Sequence, residues 1–451
     1  MEKSANSQLH APVQVTTGDE RDSLGQALDR MASSNHSEEG EWNWKGILSV
    51  IGGICSHMCL GVYYLPSAIV VYLASYYRQF DPAVTIDKGL AVNPFLGIVS
   101  ALTIPFTPIM LNKIGLKKGI LFCFTMAAGL ILVSTFFKSY WLFLAMFISF
   151  GPFNGMAFML PIWAVQRHFP TKKGVASGII IGFLGLGSLT LTMLALFLTN
   201  PDNVKPTIPG PDGNLYFGPE VYDNVPRMLR IMSLIIFCGG LMASILLQNP
   251  KQTTQHDAAS ENSSSSPQKV KLLPIKVILR SAEFWKLFFI ACFAAVPTLY
   301  ATYCYKVFGE HKINDDLYLS IVGSSSSMAN ALARFIWASL LDVMSFRKVF
   351  SLLLLLQTTL MFTYDLLATN KICFFIWTCL LVHCEGALFG IFPTAAAKMF
   401  GTDNGPRVFG MVDVGIASGG LIQYLINYYL LSIFGYANLF YMLGGLSIIS
   451  F

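Results

Sequence analysis

The chain has 451 residues, of which 54% are hydrophobic and only 12% charged, about half the charged share of an ordinary soluble domain. That is the composition of a protein solvated by lipid rather than by water, and it argues against a soluble enzyme. The formal net charge of +5 is modest, and its basic residues are spaced as a topology signal, so no nucleic-acid partner is expected.

Residues 1–43 are polar, with Glu38, Glu39 and Glu41 near their end and no apolar run that would make a signal peptide or a span. Asp19, Glu20, Asp22 and Asp29 interrupt what would otherwise pass for a mitochondrial presequence, and the segment reads as a disordered tail. Apolar blocks follow near 45–76, 89–111, 119–137, 140–165, 174–199, 227–248, 284–308, 317–341, 347–368, 371–397, 407–431 and 436–451. Each approaches the roughly 20 residues that a helix needs to cross about 30 Å of hydrocarbon. This predicts an all-α membrane protein of twelve transmembrane helices, the last one apparently truncated. The Ser-rich stretch 251–274 reads as a linker between six-helix units at 44–250 and 275–451.

Basic residues fall in alternate loops: Lys113, Lys117 and Lys118; Arg167, Lys172 and Lys173; Lys269, Lys271, Lys276 and Arg280; Arg347 and Lys348. By the positive-inside rule these loops and the amino terminus are cytoplasmic, in a plasma membrane or an organelle membrane. The nine cysteines lie mostly inside spans without metal-ligand spacing, so they read as small packing residues and no metal is expected. No phosphate-binding loop or nucleophile elbow is present in the loops; neither a cofactor nor catalysis is expected, and an ion or substrate gradient must supply the energy.

The halves share features at an offset of about 230 residues. Pro66 matches Pro297, the turn 112–118 matches 342–348, and Pro161 and Gly178 match Pro393 and Gly410. Parallel repeats about an axis along the membrane normal would behave so. The basic turn, with Gly115, Lys117 and Lys118 in its first copy and Asp342, Arg347 and Lys348 in its second, resembles the signature loop of the major facilitator superfamily, although Asn112 stands in place of the first acid. Within that superfamily, Arg167 to Gly178 followed by Gly182, Gly185 and Gly187, and Asn330 to Arg334 followed by Asp342, resemble the oxalate/formate antiporters and monocarboxylate transporters. The resemblance implies a secondary transporter and makes Arg334 a substrate-carboxylate contact. It also shows departures. Ser67 stands where monocarboxylate transporters carry a lysine, Ile416 where oxalate antiporters do, and Asn330 where an aspartate would partner the arginine.

A charge at membrane depth costs roughly 2.5 to 3.5 kcal/mol on insertion scales, so each such residue needs a partner, a cavity or a neutral form. Arg334 and Asp413 enter spans eight and eleven to nearly equal depth. An ion pair between them is open to two readings, a permanent bridge or one that substrate or proton breaks. Glu385 is the better proton-site candidate in span ten; His57 and His383 are open to proton carriage or to neutral packing. Tyr63, Tyr64, Ser67 and Asn330 are the remaining substrate-site candidates. With one cavity arginine and no lysine, a monocarboxylate is the expected substrate of a protein read as a monomer in the bilayer. A neutral amino acid or other metabolite, and a non-transporting receptor or assembly subunit, are the alternatives.

Overall fold

The computed structural model describes residues 43–86, 92–202, 204–210, 215–250, 272–313 and 315–449. Nearly all of the amino-terminal tail and most of the expected linker therefore lie outside the described residues.

Helices begin where a side chain can accept the orphan N–H groups of a first turn. Asn43 accepts from the Gly46 amide at 2.7 Å, Asp315 from that of Tyr318 at 3.1 Å, and Asn370 from Ile372 and Cys373 at 2.9 and 3.1 Å. Among the described residues, eleven helices are long and apolar enough to cross a membrane: Trp44–Tyr64 (α1), Phe95–Ile114 (α2), Leu116–Ser134 (α3), Tyr140–His168 (α4), Lys173–Thr199 (α5), Pro219–Leu246 (α6), Ala282–Gly309 (α7), Phe346–Leu367 (α9), Lys371–Phe400 (α10), Gly405–Asn427 (α11) and Tyr429–Ile449 (α12). The expected eighth span is present as a long helix, Asp316–Val343 (α8). It misses the apolar criterion because Ser324 to Ser327, Asn330 and Arg334 break its hydrophobic run. Polar groups on a helix packed among apolar ones must turn inward, since lipid cannot hydrogen-bond them.

The first span is not the single rod expected over 45–76. The α-helix ends at Leu60 and tightens into a 3-10 turn over Gly61–Tyr64. The chain then runs through a short helix, Leu65–Ala68, and a further helix, Val70–Arg78. Pro66, which lacks an N–H to donate, sits at the break. Between α5 and α6 a small hairpin pairs Ile208–Pro209 with Leu215–Tyr216, and the Phe217 amide ties it to Ser75 Oγ at 2.9 Å.

Within the first six helices, α1 packs on α4, α5 and α6, and α3 on α6; within the last six, α8 packs on α10 and α7 on α10 and α11. Two seams join the sets, α5 against α8 and α2 against α11. The repeat-related glycines mark them. A Cβ on Gly178 would stand 3.0 Å from Ala338 of α8, and one on Gly410 would stand 2.5 Å from Pro105 of α2. Side-chain-free surface at both crossings lets the backbones touch, as small residues do where helices pack in lipid.

Candidate functional site

The site is built on one turn of α8. Glycines on α10 have no side chain to hold that turn away: a Cβ on Gly386 would meet the Asn330 carbonyl oxygen at 2.3 Å, and one on Gly390 the Arg334 carbonyl oxygen at 2.4 Å. The close approach places Glu385 of α10 beside Asn330 and Arg334.

Arg334 is 3% exposed. Its Nε donates to Asn330 Oδ1 at 3.1 Å, its Nη2 donates to the Tyr64 hydroxyl at 3.3 Å, and the guanidinium lies 5.1 Å from the centroid of the Phe389 ring. All three partners are neutral. The Asn330 amide nitrogen in turn donates to the Val382 carbonyl at 3.1 Å and, at the limit of hydrogen bonding, to Glu385 Oε2 at 3.5 Å. Thr302 of α7 donates to the same carboxylate oxygen at 2.8 Å. Four helices, α1, α7, α8 and α10, thus converge on one polar chain.

Among the described residues, no ion pair joins Arg334 to Asp413, so the bridge that their similar depth allowed is not formed. The Tyr63 phenol lies in the field of both Asp413 and Glu385. Tyr63 and Tyr64 meet edge to face at 5.0 Å, and the Tyr64 hydroxyl is the one that accepts from Arg334. Tyr303, next to Thr302, is 64% exposed at mid-helix and lies within reach of Glu385 and Tyr64. Ser67 falls in the short helix after the 3-10 turn, and its side chain lies outside the described residues.

The two histidines differ. His383 is held at both ring nitrogens: Nε2 accepts from the Trp337 indole at 3.0 Å and Nδ1 lies 3.0 Å from the Ala329 carbonyl. Such a ring must be the neutral Nδ1–H tautomer, with no free nitrogen for a second proton. His57, wholly buried, has Nδ1 at 3.1 Å from the Gly53 carbonyl and Nε2 without a partner, and it packs on Phe158 at 5.1 Å.

Phe158 of α4 and Phe409 of α11 stack across the seam at 6.0 Å. Toward the basic loops the halves are tied further. Ser177 and Thr394 hydroxyls meet at 3.0 Å. Asp342, the acid of the second signature loop, accepts from the Gly174 and Val175 amides at 2.9 and 2.8 Å and pairs with Lys398 at 3.0 Å. A carboxylate at a helix N-terminus meets both unsatisfied N–H groups and the positive end of the dipole. Arg167 pairs with Asp403, and Trp163 donates to that carboxylate at 3.4 Å, so Trp163 serves the closure rather than a pocket. Thr302, Asp403, Phe158 and Phe409 escaped sequence reasoning, because a threonine or phenylalanine inside a span carries no signal until its neighbours are known.

The Major Facilitator Superfamily sequence model matches residues 50–311 and 307–451, and the chain belongs to that superfamily. It is 23% identical to apicoplast pyruvate carrier 1 of Toxoplasma gondii, over 84% of this chain and 83% of the relative. Its fold is shared with the transporter FucP in the outward conformation, at 15% identity and a TM-score of 0.62, over 89% of this chain and 97% of the other. The human organic anion transporter MFSD10 (TETRAN) matches at 14% identity and a TM-score of 0.58, over 90% and 98% of the two chains. The chain is thus a multi-pass membrane transporter by family, with the all-α major facilitator fold that its sequence predicted.

Proposed function

We propose that this transporter carries small monocarboxylates, binding the substrate carboxylate at Arg334 and exposing it alternately to the two sides as the six-helix units rock about the site. The observation that carries this reading is a buried guanidinium whose described partners are a neutral amide, a phenol and a ring. Arginine stays charged at any physiological pH, and its fork fits a carboxylate by two parallel hydrogen bonds. A cation in a membrane interior whose direct partners are all neutral is a site for an anion. The one cation in the polar chain suits one carboxylate, and the pyruvate carrier among its relatives agrees with a small organic acid. The basic-loop side, tied shut here, is read as cytoplasmic, and the functional unit as a monomer.

The test is uptake of radiolabelled lactate, pyruvate, formate and oxalate into liposomes holding the purified protein, with neutral amino acids as controls. Monocarboxylate uptake that Arg334→Lys lowers at least about tenfold, the worth of roughly 1.4 kcal/mol of lost fork geometry, supports the reading. Uptake of neutral solutes alone, or monocarboxylate uptake indifferent to Arg334→Ala, refutes it.

A further inference from the structure

We propose that Glu385, and not Asp413, is the group that takes up a proton when the substrate binds, and that the Asn330 amide is the positioning link between the two events. The inference rests on the monocarboxylate reading of Arg334 and names the coupling of that same site.

Coupling between a proton and a substrate is a free energy of interaction, so the proton site must feel the substrate site. Two membrane-embedded carboxylates are candidates. Glu385 feels the Arg334 charge and is joined to it through a single side chain. Asp413 makes no ion pair and takes no part in the hydrogen bonds of the cluster among the described residues. A proton on Asp413 has no such bonded path to an anion on Arg334.

The orientation of Asn330 follows from chemistry. Arg334 is donor-only, so the oxygen of the amide must face it and the NH2 must face Val382 and Glu385. This amide stands between the Arg334 guanidinium and the Glu385 carboxylate, keeping them apart while joined to both. A substrate carboxylate arriving at Arg334 becomes a second negative charge around one positive charge. Glu385 then gains a proton from the facing solution, its Oε2 keeping the Thr302 hydrogen bond. One anion and one proton enter together, and the net charge of the site is unchanged.

The groups that face Glu385 agree with this assignment. They are Thr302 and Tyr303 from α7, Asn330 and Arg334 from α8, and Tyr63 from α1. His383 of its own helix is turned to Trp337 instead. No charged side chain of α5, α9 or α11 makes an ion pair with it among the described residues.

The experiment is binding of lactate and of pyruvate to the purified full chain, followed by ligand-induced thermal shift between pH 5 and 8, paired with proton movement in liposomes loaded with a pH-sensitive dye. Wild-type apparent affinity is expected to fall as pH rises, by up to tenfold per unit for one linked proton. Glu385→Gln should lose that slope and lactate-driven proton entry together, while Asp413→Asn keeps the wild-type slope. Asn330→Leu should shrink the slope whatever it does to the affinity at low pH, which a merely structural role would not do. A wild-type slope retained in Glu385→Gln, or lost in Asp413→Asn, overturns the inference while leaving the monocarboxylate reading intact. Absence of any lactate or pyruvate binding to the wild type defeats that reading first, and this inference with it.

Discussion

At the scale of single residues, the polar side chains of the spans sort by how many partners they have. His383 is fully held, so its removal should act on stability alone. His383→Leu leaves the buried Trp337 N–H unpaired, a cost of roughly 1 to 3 kcal/mol. The thermal midpoint in detergent should drop while the pH profile of uptake keeps its shape; a flattened profile would return His383 to the coupling machinery. Charged residues in an apolar run are conspicuous in sequence, and Arg334, Glu385 and Asp413 were legible for that reason. Which of them meet was not. Depth along a helix made an Arg334 and Asp413 pair possible, but a pairing depends on the azimuth of each helix, and the packing of α10 on α8 linked Arg334 to Glu385 through the Asn330 amide instead.

At the scale of elements, α8 is the least apolar of the long helices and the one that carries the site. Its end away from the basic loops is fixed by Asp315, which caps the helix and pairs with Lys371 of α10 at 2.5 Å. The hydrogen bond from the Lys371 ammonium, with that of the Tyr318 amide, holds the Asp315 carboxyl below the usual carboxylate range. A depressed folded value means that its stabilising contribution is present at neutral pH and is lost as pH falls through that lowered value. Acid titration of thermal stability should therefore show a loss below about pH 4 that Asp315→Asn reduces. At the other end, a Cβ on Gly174 would stand 1.8 Å from the Ala338 carbonyl oxygen. Gly174→Ala should force α5 from α8, seen as faster hydrogen exchange of the α5 amides at the basic-loop end; unchanged exchange would mean that the seam yields without opening. The sequence located the long helices through their apolar runs and the basic turns between them. It missed the break in α1, because a 3-10 turn leaves the hydrophobic run unaltered.

For the whole molecule, the described polar ties between the halves lie at the basic-loop end, apart from the Arg334 to Tyr64 contact at the site. The structure is a state closed on that side. Because the first signature loop carries Asn112 in place of an acid, the charged part of the closure is uneven. Asp342 serves the α5 and α8 seam, and Arg167 with Asp403 serves the region of α11. Asp342→Asn replaces charge-assisted hydrogen bonds worth roughly 1.5 to 3 kcal/mol by weaker ones, which would shift the balance of the two states by tenfold or more. Accessibility of a cysteine placed in the α10 to α11 loop to a membrane-impermeant thiol reagent, added from the basic-loop side of a background lacking the native cysteines, should rise. No change would assign the closure to the packed seams alone.

The sequence by itself determined the class of solvent, the approximate places of the long helices and the residues whose charge had to be accounted for. These are properties of one chain segment against lipid or water, where length and hydropathy decide. The tertiary structure decided which polar groups share a hydrogen bond, which end of the molecule is closed and which helix is broken. Those outcomes depend on contacts between segments up to 270 residues apart, as between Tyr64 and Arg334. An apolar pattern records that a face is buried, but not what it is buried against.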